Sequence, residues 1–391
     1  MIPELRRAFN QSFTPEKYQA FLALLDERSG AHVKFRICET PCFFRAPLIE
    51  TMQKAGAELI HQLVQNEPYL DAARSQIPPG FRVQNEPNRP MFIQADFGLV
   101  RDNTGQISPK LVEIQAFPSL YAYQPVLEDT YREVYNLTLT KQSHHEALFQ
   151  RAILGAHAPE NVVLLEIDPY NQKTLPDFLL TAKATGIRIA DIRDIRKKSN
   201  KLYLDGIPIH RIYNRAIADE LIRLNVQADF RFDDDLDVEW AGHPNWFFLI
   251  SKFSLPYLKH PTVPESWFLS DFYKTNPILP RIESADLENY VLKPLYSFAG
   301  LGVKVGPTRE DIDSIPAAER PHYLLQRRMQ FEPIIETPFG LTQAEIRVMY
   351  IWLDQLTPVS LIIRMGRGKM MGVDHNRDME WVGASAAFVA P

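Results

Sequence analysis

"YVLKPLYSFAGLGVKV", Tyr290–Val305, decides how this chain is read. It begins as a buried strand, turns through small and flexible residues, and becomes strand again. Lys293 lies near its start, and Gly300 and Gly302 lie at its tip. The order G-x-x-x-x-G-K-[ST] is absent, and no helix signal follows the glycines as a dinucleotide fingerprint requires. A hairpin of small residues can still close over phosphates. Glycine lets backbone N–H groups approach an oxyanion, Ser297 could add a hydroxyl, and Lys293 could neutralise charge. An ordinary structural hairpin would use the same residues.

Three neighbouring segments extend this reading. "HYLLQRRM" is an apolar strand ending in Gln326, placed where a hinge backbone could bond the edge of an adenine. "EIRVMYIWL" puts Glu345, Arg347 and Met349 on one face, because residues two apart in a strand point the same way. "VSLIIRMGRGKMMGV" brings Arg364, Arg367 and Lys369 to a tight turn that could hold a phosphate or an acidic substrate. Together these predict a strand-rich antiparallel unit over 264–391.

Far upstream, "RPMFIQADFGLV" and "KLVEIQAF" predict two strands joined by the turn-rich "RDNTGQISP". Glu113 and Gln115 then project from one face, with Asp96 across from them. Two carboxylates and an amide oxygen form a hard oxygen set suited to Mg²⁺ beside substrate phosphates. A pair of exposed strand acids is the alternative.

The remaining texture is mixed. "TPEKYQAFLALLDERSG" predicts a helix capped by Thr14, with Pro15 at its first position and Gly30 past its end. "APLIETMQKAGAELIHQLVQ" continues with helical spacing, and helix is expected again from about Pro125 to Gly155. "NVVLLEID", "TLPDFLLTAKATG" and "IRIADI" read as strand, helix and strand, a parallel βαβ unit. "KLYLDGIPIHRIYNR" reads as a hairpin turning at Asp205-Gly206 and leading to another strand. "FRFDDDLDVEW" lacks the pattern of a calcium loop and reads as a solvated acidic loop.

Bulk properties exclude several classes. The 391 residues suit two or three packed domains. A formal charge of −5 argues against a generic nucleic-acid binder. Cys38 and Cys42 read as two reduced thiols, too few for a zinc site. No signal-like or membrane-spanning run is evident, so a cytoplasmic protein without a membrane partner is expected. There is no G-x-S-x-G elbow or H-E-x-x-H pattern, and His144-His145 reads as surface.

The order of these segments resembles the ATP-grasp superfamily: "VLKPLYSFAGLGV", then "YLLQRRM", then "EIRVMYIW". The upstream "ADFGLV…LVEIQAFPSL" resembles the metal segment of its circularly permuted, glutathionylspermidine synthetase-like type. "GIPIHRIYNR", "WFFLISKFSLPYLK" with Lys252, and "WVGASAAFV" resemble further segments of that type. Two positions depart: Gln115 stands in place of the family's asparagine, and Gln94 in place of its arginine.

The resemblance implies an α+β / α/β chain with an ATP-grasp fold. Its parts would be a helix-rich region over 1–155 carrying the metal strand pair, a Rossmann-like βαβ pre-ATP-grasp domain over 156–263, and a nucleotide domain over 264–391. ATP would be held by Lys252, Lys293, Ser297, Phe298, Ala299, Gly300, Gly302 and Gln326, and Mg²⁺ by Asp96, Glu113 and Gln115. Arg215, Arg347 and Arg364 are the arginines available to the transferring phosphoryl group. The implied activity is ADP-forming ligation of a small-molecule carboxylate to an amine through an acyl phosphate. A nucleotide-binding protein without turnover and a small-molecule kinase are the rival readings.

Overall fold

The computed structural model describes residues 1–141, 145–272, 284–296, 302–368, 371 and 378–391. Period-two alternation along several long segments builds a mixed eight-stranded sheet. Its main path runs Cys42–Arg45, Gly383–Ala390, Leu356–Gly366, Gly340–Trp352, Phe92–Arg101 and Ile107–Gln115. Cys42–Arg45 runs parallel to Gly383–Ala390, and the later pairs along the path are antiparallel. The 92–115 hairpin forms as its pattern predicts. The Asp102 carboxylate accepts from the Thr104 and Gln106 N–H groups, and Gly105 takes φ 81° to close the turn.

One face of this sheet is apolar. Ile93, Ala95, Phe97, Ile346, Val348, Tyr350, Leu361 and Ile363 pack in one core with Ile49, Met52, Leu59, Ile60 and Leu63. The latter five lie on the helix Ala46–Val64, whose apolar spacing of three and four keeps them on one stripe. The opposite face is polar over the residues discussed below. Farther along it turns apolar: Met349 and Ile362 pack with Val162, Leu164 and Tyr213 of the next unit.

That unit is a four-stranded parallel sheet, ordered Glu239–Ala241, Arg211–Asn214, Val162–Glu166, Arg188–Asp191. The helix Leu175–Thr185 crosses between the last two strands, as the βαβ pattern predicts. Lys201–Leu204 and Ile207–Ile209 make the expected hairpin, with Asp205 at φ 51° and Gly206 at φ 80°. Positive φ at both central residues matches strand twist. A third, antiparallel sheet orders Ser266–Phe268, Tyr323–Arg327, Tyr290–Pro294 and Lys304–Val305. The Tyr290–Val305 stretch is thus strand, connection and strand. Ser297, Phe298, Ala299, Gly300 and Lys369 lie outside the described residues.

Several local expectations hold in detail. Thr14 Oγ1 accepts from the Lys17 N–H, Pro15 opens the helix Pro15–Ser29, and Gly30 ends it in the left-handed region. Others differ. The helix expected over 125–155 is two helices, Tyr123–Val134 and Glu146–Leu154. Asn136 at φ 52° breaks the run, and Thr140–Lys141 pairs with Gly383–Ala390 instead. His145 is buried rather than surface, its ring nitrogens facing the Val359 and Tyr121 carbonyls. Segments 1–155 and 264–391 contribute strands to one shared sheet, because alternation marks a strand but not its partner. No helix among the described residues is long and apolar enough to cross a membrane. Cys38 and Cys42 are free, buried thiols, each with Sγ 3.5 Å from Met365 Sδ. Burial pushes the Cys42 thiol up to about 12.

Candidate functional site

The three sheets meet around a cleft of about 1040 Å³. Its floor is the polar face of the large sheet, with Gln94, Glu113, Gln115, Glu345, Arg347 and Arg364. One wall comes from the small antiparallel sheet, with Lys293 and Gln326. The far end is the carboxyl edge of the parallel sheet, where Glu166 ends one strand and Arg215 follows another. Carboxyl ends of parallel strands are a general ligand-binding position in open α/β sheets.

Register explains the floor. Asp96 is the cross-strand partner of both Glu113 and Arg347, and Glu345 is the partner of Arg364. Strands far apart in sequence therefore bring acids and arginines together. Asp96 is fully buried and accepts from Arg347 Nε at 2.9 Å, Arg347 Nη2 at 2.8 Å and Arg364 Nη2 at 2.7 Å. Arg364 also pairs with Glu345. Burial alone would raise the Asp96 carboxyl, but the two guanidiniums outweigh it and hold it below the usual carboxylate range. The Arg347 guanidinium is driven upward by the same pairing against its own burial.

Beside this cluster an amide chain runs across the hairpin. Gln94 Nε2 donates to Gln115 Oε1 at 3.2 Å, and Gln115 Nε2 donates to Glu113 Oε1 at 3.0 Å. Lys252 Nζ stands 3.7 Å from Glu113 Oε2. Lys293 Nζ donates to Gln326 Oε1 at 2.7 Å and to the Val112 carbonyl at 3.2 Å. Burial lowers the Lys293 ammonium to about 8, although Glu113 works against the shift. At the far end, Arg215 Nη1 donates to the Pro118 carbonyl at 2.9 Å, and its guanidinium lies 4.5 Å from the Phe117 ring centroid. Burial pushes Glu166 up to about 8.

The expected residues divide accordingly. Lys252, Lys293, Gln326, Glu113, Gln115, Arg215, Arg347 and Arg364 all line the one cleft. Asp96 lies beneath the floor as the counter-ion of two arginines. Gly302, at φ 73°, precedes the return strand, and its neighbour Val303 reaches the cleft. Glu166 escaped sequence reading. Its position as the last residue of the run "VVLLE", at a parallel strand's carboxyl end, was the available signal.

Charge gives the cleft its character. Lys173, Arg215, Lys252, Lys293, Arg327, Arg328, Arg347, Arg364 and Arg367 line it, against Glu113, Glu166, Glu220 and Glu345. Among the described lining residues nine cations face four carboxyl groups, in a chain of formal charge −5. Such a cavity favours polyanions. Among the described residues no group of three or more His, Cys, Asp or Glu side chains could hold a metal ion. The Glu113 carboxylate and the second lone pair of the Gln115 carbonyl nonetheless suit Mg²⁺ completed by phosphate oxygens and water.

No protein-family model matches the chain, and no curated protein matches it. Among solved structures, it is similar to a glutathione synthetase-like effector from Globodera pallida in its apo form. The TM-score is 0.59 at 13% identity, covering 96% of this chain and 99% of the other. That neighbour bears the glutathione synthetase-like description, not the circularly permuted glutathionylspermidine synthetase-like one drawn from the sequence, so the finer type is not supported. The likeness extends over nearly the whole of both chains, and what this protein shares with the glutathione synthetase-like effector is its mixed α/β fold.

Proposed function

We propose that the chain is an ATP-grasp ligase that joins a small carboxylate to an amine, forming ADP and phosphate. The observation that carries this reading is the cationic cleft with Lys252 and Lys293 converging on Glu113. The glutathione synthetase-like fold supports it.

Each group then has a task. Lys252 and Lys293 hold the ATP phosphates, and the irregular stretch that follows the Tyr323–Arg327 strand, with Met329 and Gln330 lining the cleft, offers its backbone to the base. Glu113 and Gln115 hold Mg²⁺, which neutralises phosphate charge when bound. Arg347 and Arg364, fixed in place by Asp96, face the transferring group. A carboxylate oxygen attacks the γ-phosphorus, the bond to the β-phosphate oxygen breaks, and ADP leaves. The amine nitrogen then attacks the acyl carbon, the carbon–oxygen bond to phosphate breaks, and the surplus amine proton leaves with the phosphate. Catalysis by this chain is alignment and charge neutralisation. The carboxylate is received toward Arg215 at the parallel-sheet edge.

The test is incubation of the protein with Mg-ATP and pooled metabolites, followed by mass spectrometry. ADP, phosphate and a new amide are expected. AMP with pyrophosphate would contradict the mechanism, and a stable phosphorylated metabolite would make the protein a kinase. Gln94, neutral where the resemblance has an arginine, favours one second reading: nucleotide binding without turnover, which predicts ATP binding and no product.

A further inference from the structure

Four buried polar atoms of cleft-lining residues lack a hydrogen-bond partner among the described residues. Three are donors: Arg215 Nε, Arg364 Nε and Gln326 Nε2. The fourth, Gln94 Oε1, is an acceptor. An anionic ligand satisfies the three donors. Phosphate and carboxylate oxygens offer nothing to the acceptor.

The polarity of Gln94 follows from its neighbours. A side-chain amide is oriented by its hydrogen-bond network. Glu113, with Lys252 Nζ 3.7 Å from one oxygen, is an acceptor toward Gln115. Gln115 must therefore turn its Nε2 to Glu113, which leaves its Oε1 facing Gln94. Gln94 must in turn donate through Nε2, and its own oxygen is left over. The carboxylate at one end of the chain thus dictates an acceptor at the other. Gln94 is fully buried and stands on the floor, in register with Gln115 and Met349.

A ligand group that completes this site must bring an N–H or O–H donor to the floor. In the ligation proposed above, the amine brings such donors, as do the ribose hydroxyls and adenine amino group of ATP, and Mg-ATP affinity in a Gln94 variant separates the two. We propose that Gln94 is the residue that recognises the nucleophilic amine: its Oε1 accepts one amine N–H and so aims the nitrogen lone pair at the acyl carbon. This inference rests on the ligase reading. In the step it serves, the nitrogen lone pair forms the C–N bond, the C–O bond to phosphate breaks with its electrons on oxygen, and the released proton leaves with the phosphate. Gln94 itself neither gains nor loses a proton.

The experiment compares wild type, Gln94→Met and Gln94→Glu. Each is given Mg-ATP and an equimolar pool of the twenty amino acids, which supplies both carboxylates and amines. Mg-ATP affinity is read by calorimetry, ADP by coupled assay, amide by mass spectrometry, and folding by melting temperature. In Gln94→Met, Mg-ATP affinity should stay within two-fold of wild type. Its amide yield should fall about ten-fold, the loss of one hydrogen bond with its acceptor. ADP should fall less, because acyl phosphate still forms and is hydrolysed, so the ratio of ADP to amide rises. Gln94→Glu keeps an acceptor but sets an oxygen against Gln115 Oε1 where the amide donated, so its amide yield should fall at least as far as that of Gln94→Met. Unchanged amide yield in Gln94→Met overturns the inference while leaving the ligase intact. So does a parallel loss of ADP and amide, which would place Gln94 in phosphoryl transfer, or weakened Mg-ATP binding, which would make it a nucleotide contact. A folded wild type that makes no amide removes the ligase reading, and the amine with it.

Discussion

Asp96→Asn separates a structural counter-ion from a metal ligand. The carboxylate is fully buried and takes three N–H bonds of 2.7 to 2.9 Å from Arg347 and Arg364. Asparagine keeps the shape and removes the charge. Breaking one side of a buried ion pair costs about 3–5 kcal/mol, since the partner charge is left uncompensated. The two arginine side chains are 16% and 23% exposed, and Arg364 retains Glu345, so the lower end, about 3 kcal/mol, applies here. The assay is denaturant unfolding at pH 7 in chelator, with no Mg²⁺ present. A double-mutant cycle with Arg347→Met should be strongly non-additive, the pair losing less than the two single variants summed. The pH dependence has a definite sign. The folded carboxyl sits below its unfolded value, so its stabilisation is present above the usual carboxylate range and is lost as pH falls through the folded value. An Asp96→Asn protein within about 0.5 kcal/mol of wild type in chelator would refute the counter-ion account. If it were weakened only when Mg²⁺ is present, Asp96 would be a metal ligand.

Glu166→Gln should stabilise the protein at alkaline pH. The folded value of about 8 lies above the ordinary 4.5, so wild-type stability is lost as pH rises between them; melting curves should coincide near pH 4.5 and diverge by pH 8, by about 1.4 kcal/mol for each pH unit between the two values at most. Gly98→Ala should destabilise by about 1–3 kcal/mol in denaturant unfolding. A Cβ there would lie 2.2 Å from the Phe331 ring, which lines the cleft and would have to move.

The sequence carried local structure further than assembly. Caps at Thr14, Pro15 and Gly30 and the turn at Asp205-Gly206 are written in neighbouring residues, and they form as read. The placement of Asp96 opposite Glu113 followed from a short hairpin and holds in the register. Its two arginines come from strands some 250 residues later, and nothing in alternation names a distant partner. Asp96 therefore read as a cleft oxygen ligand, with no sign of the two arginines that donate to it. Glu166 was invisible for a related reason. One acid ending an apolar run becomes informative only when its strand is known to be parallel and to open on a cleft. The break at Asn136 was missed because the apolar spacing on either side is helical, while the deciding contact, Thr140–Lys141 with Gly383–Ala390, is remote.

The central claim is that the cleft receives Mg-ATP through Lys293, and calorimetric titration of Mg-ATP tests it most directly. Wild type should bind one equivalent. Lys293→Met should bind about ten- to a hundred-fold more weakly, the value of one charge-assisted contact of about 1.5–3 kcal/mol. The Lys293 ammonium titrates at about 8 in the free protein and is neutral above that. Wild-type affinity should therefore fall roughly ten-fold between pH 7 and pH 9, while Lys293→Met should be flat across that range. A folded wild type that takes up no Mg-ATP, or a Lys293→Met protein that binds it as tightly as wild type at pH 7, would contradict the account.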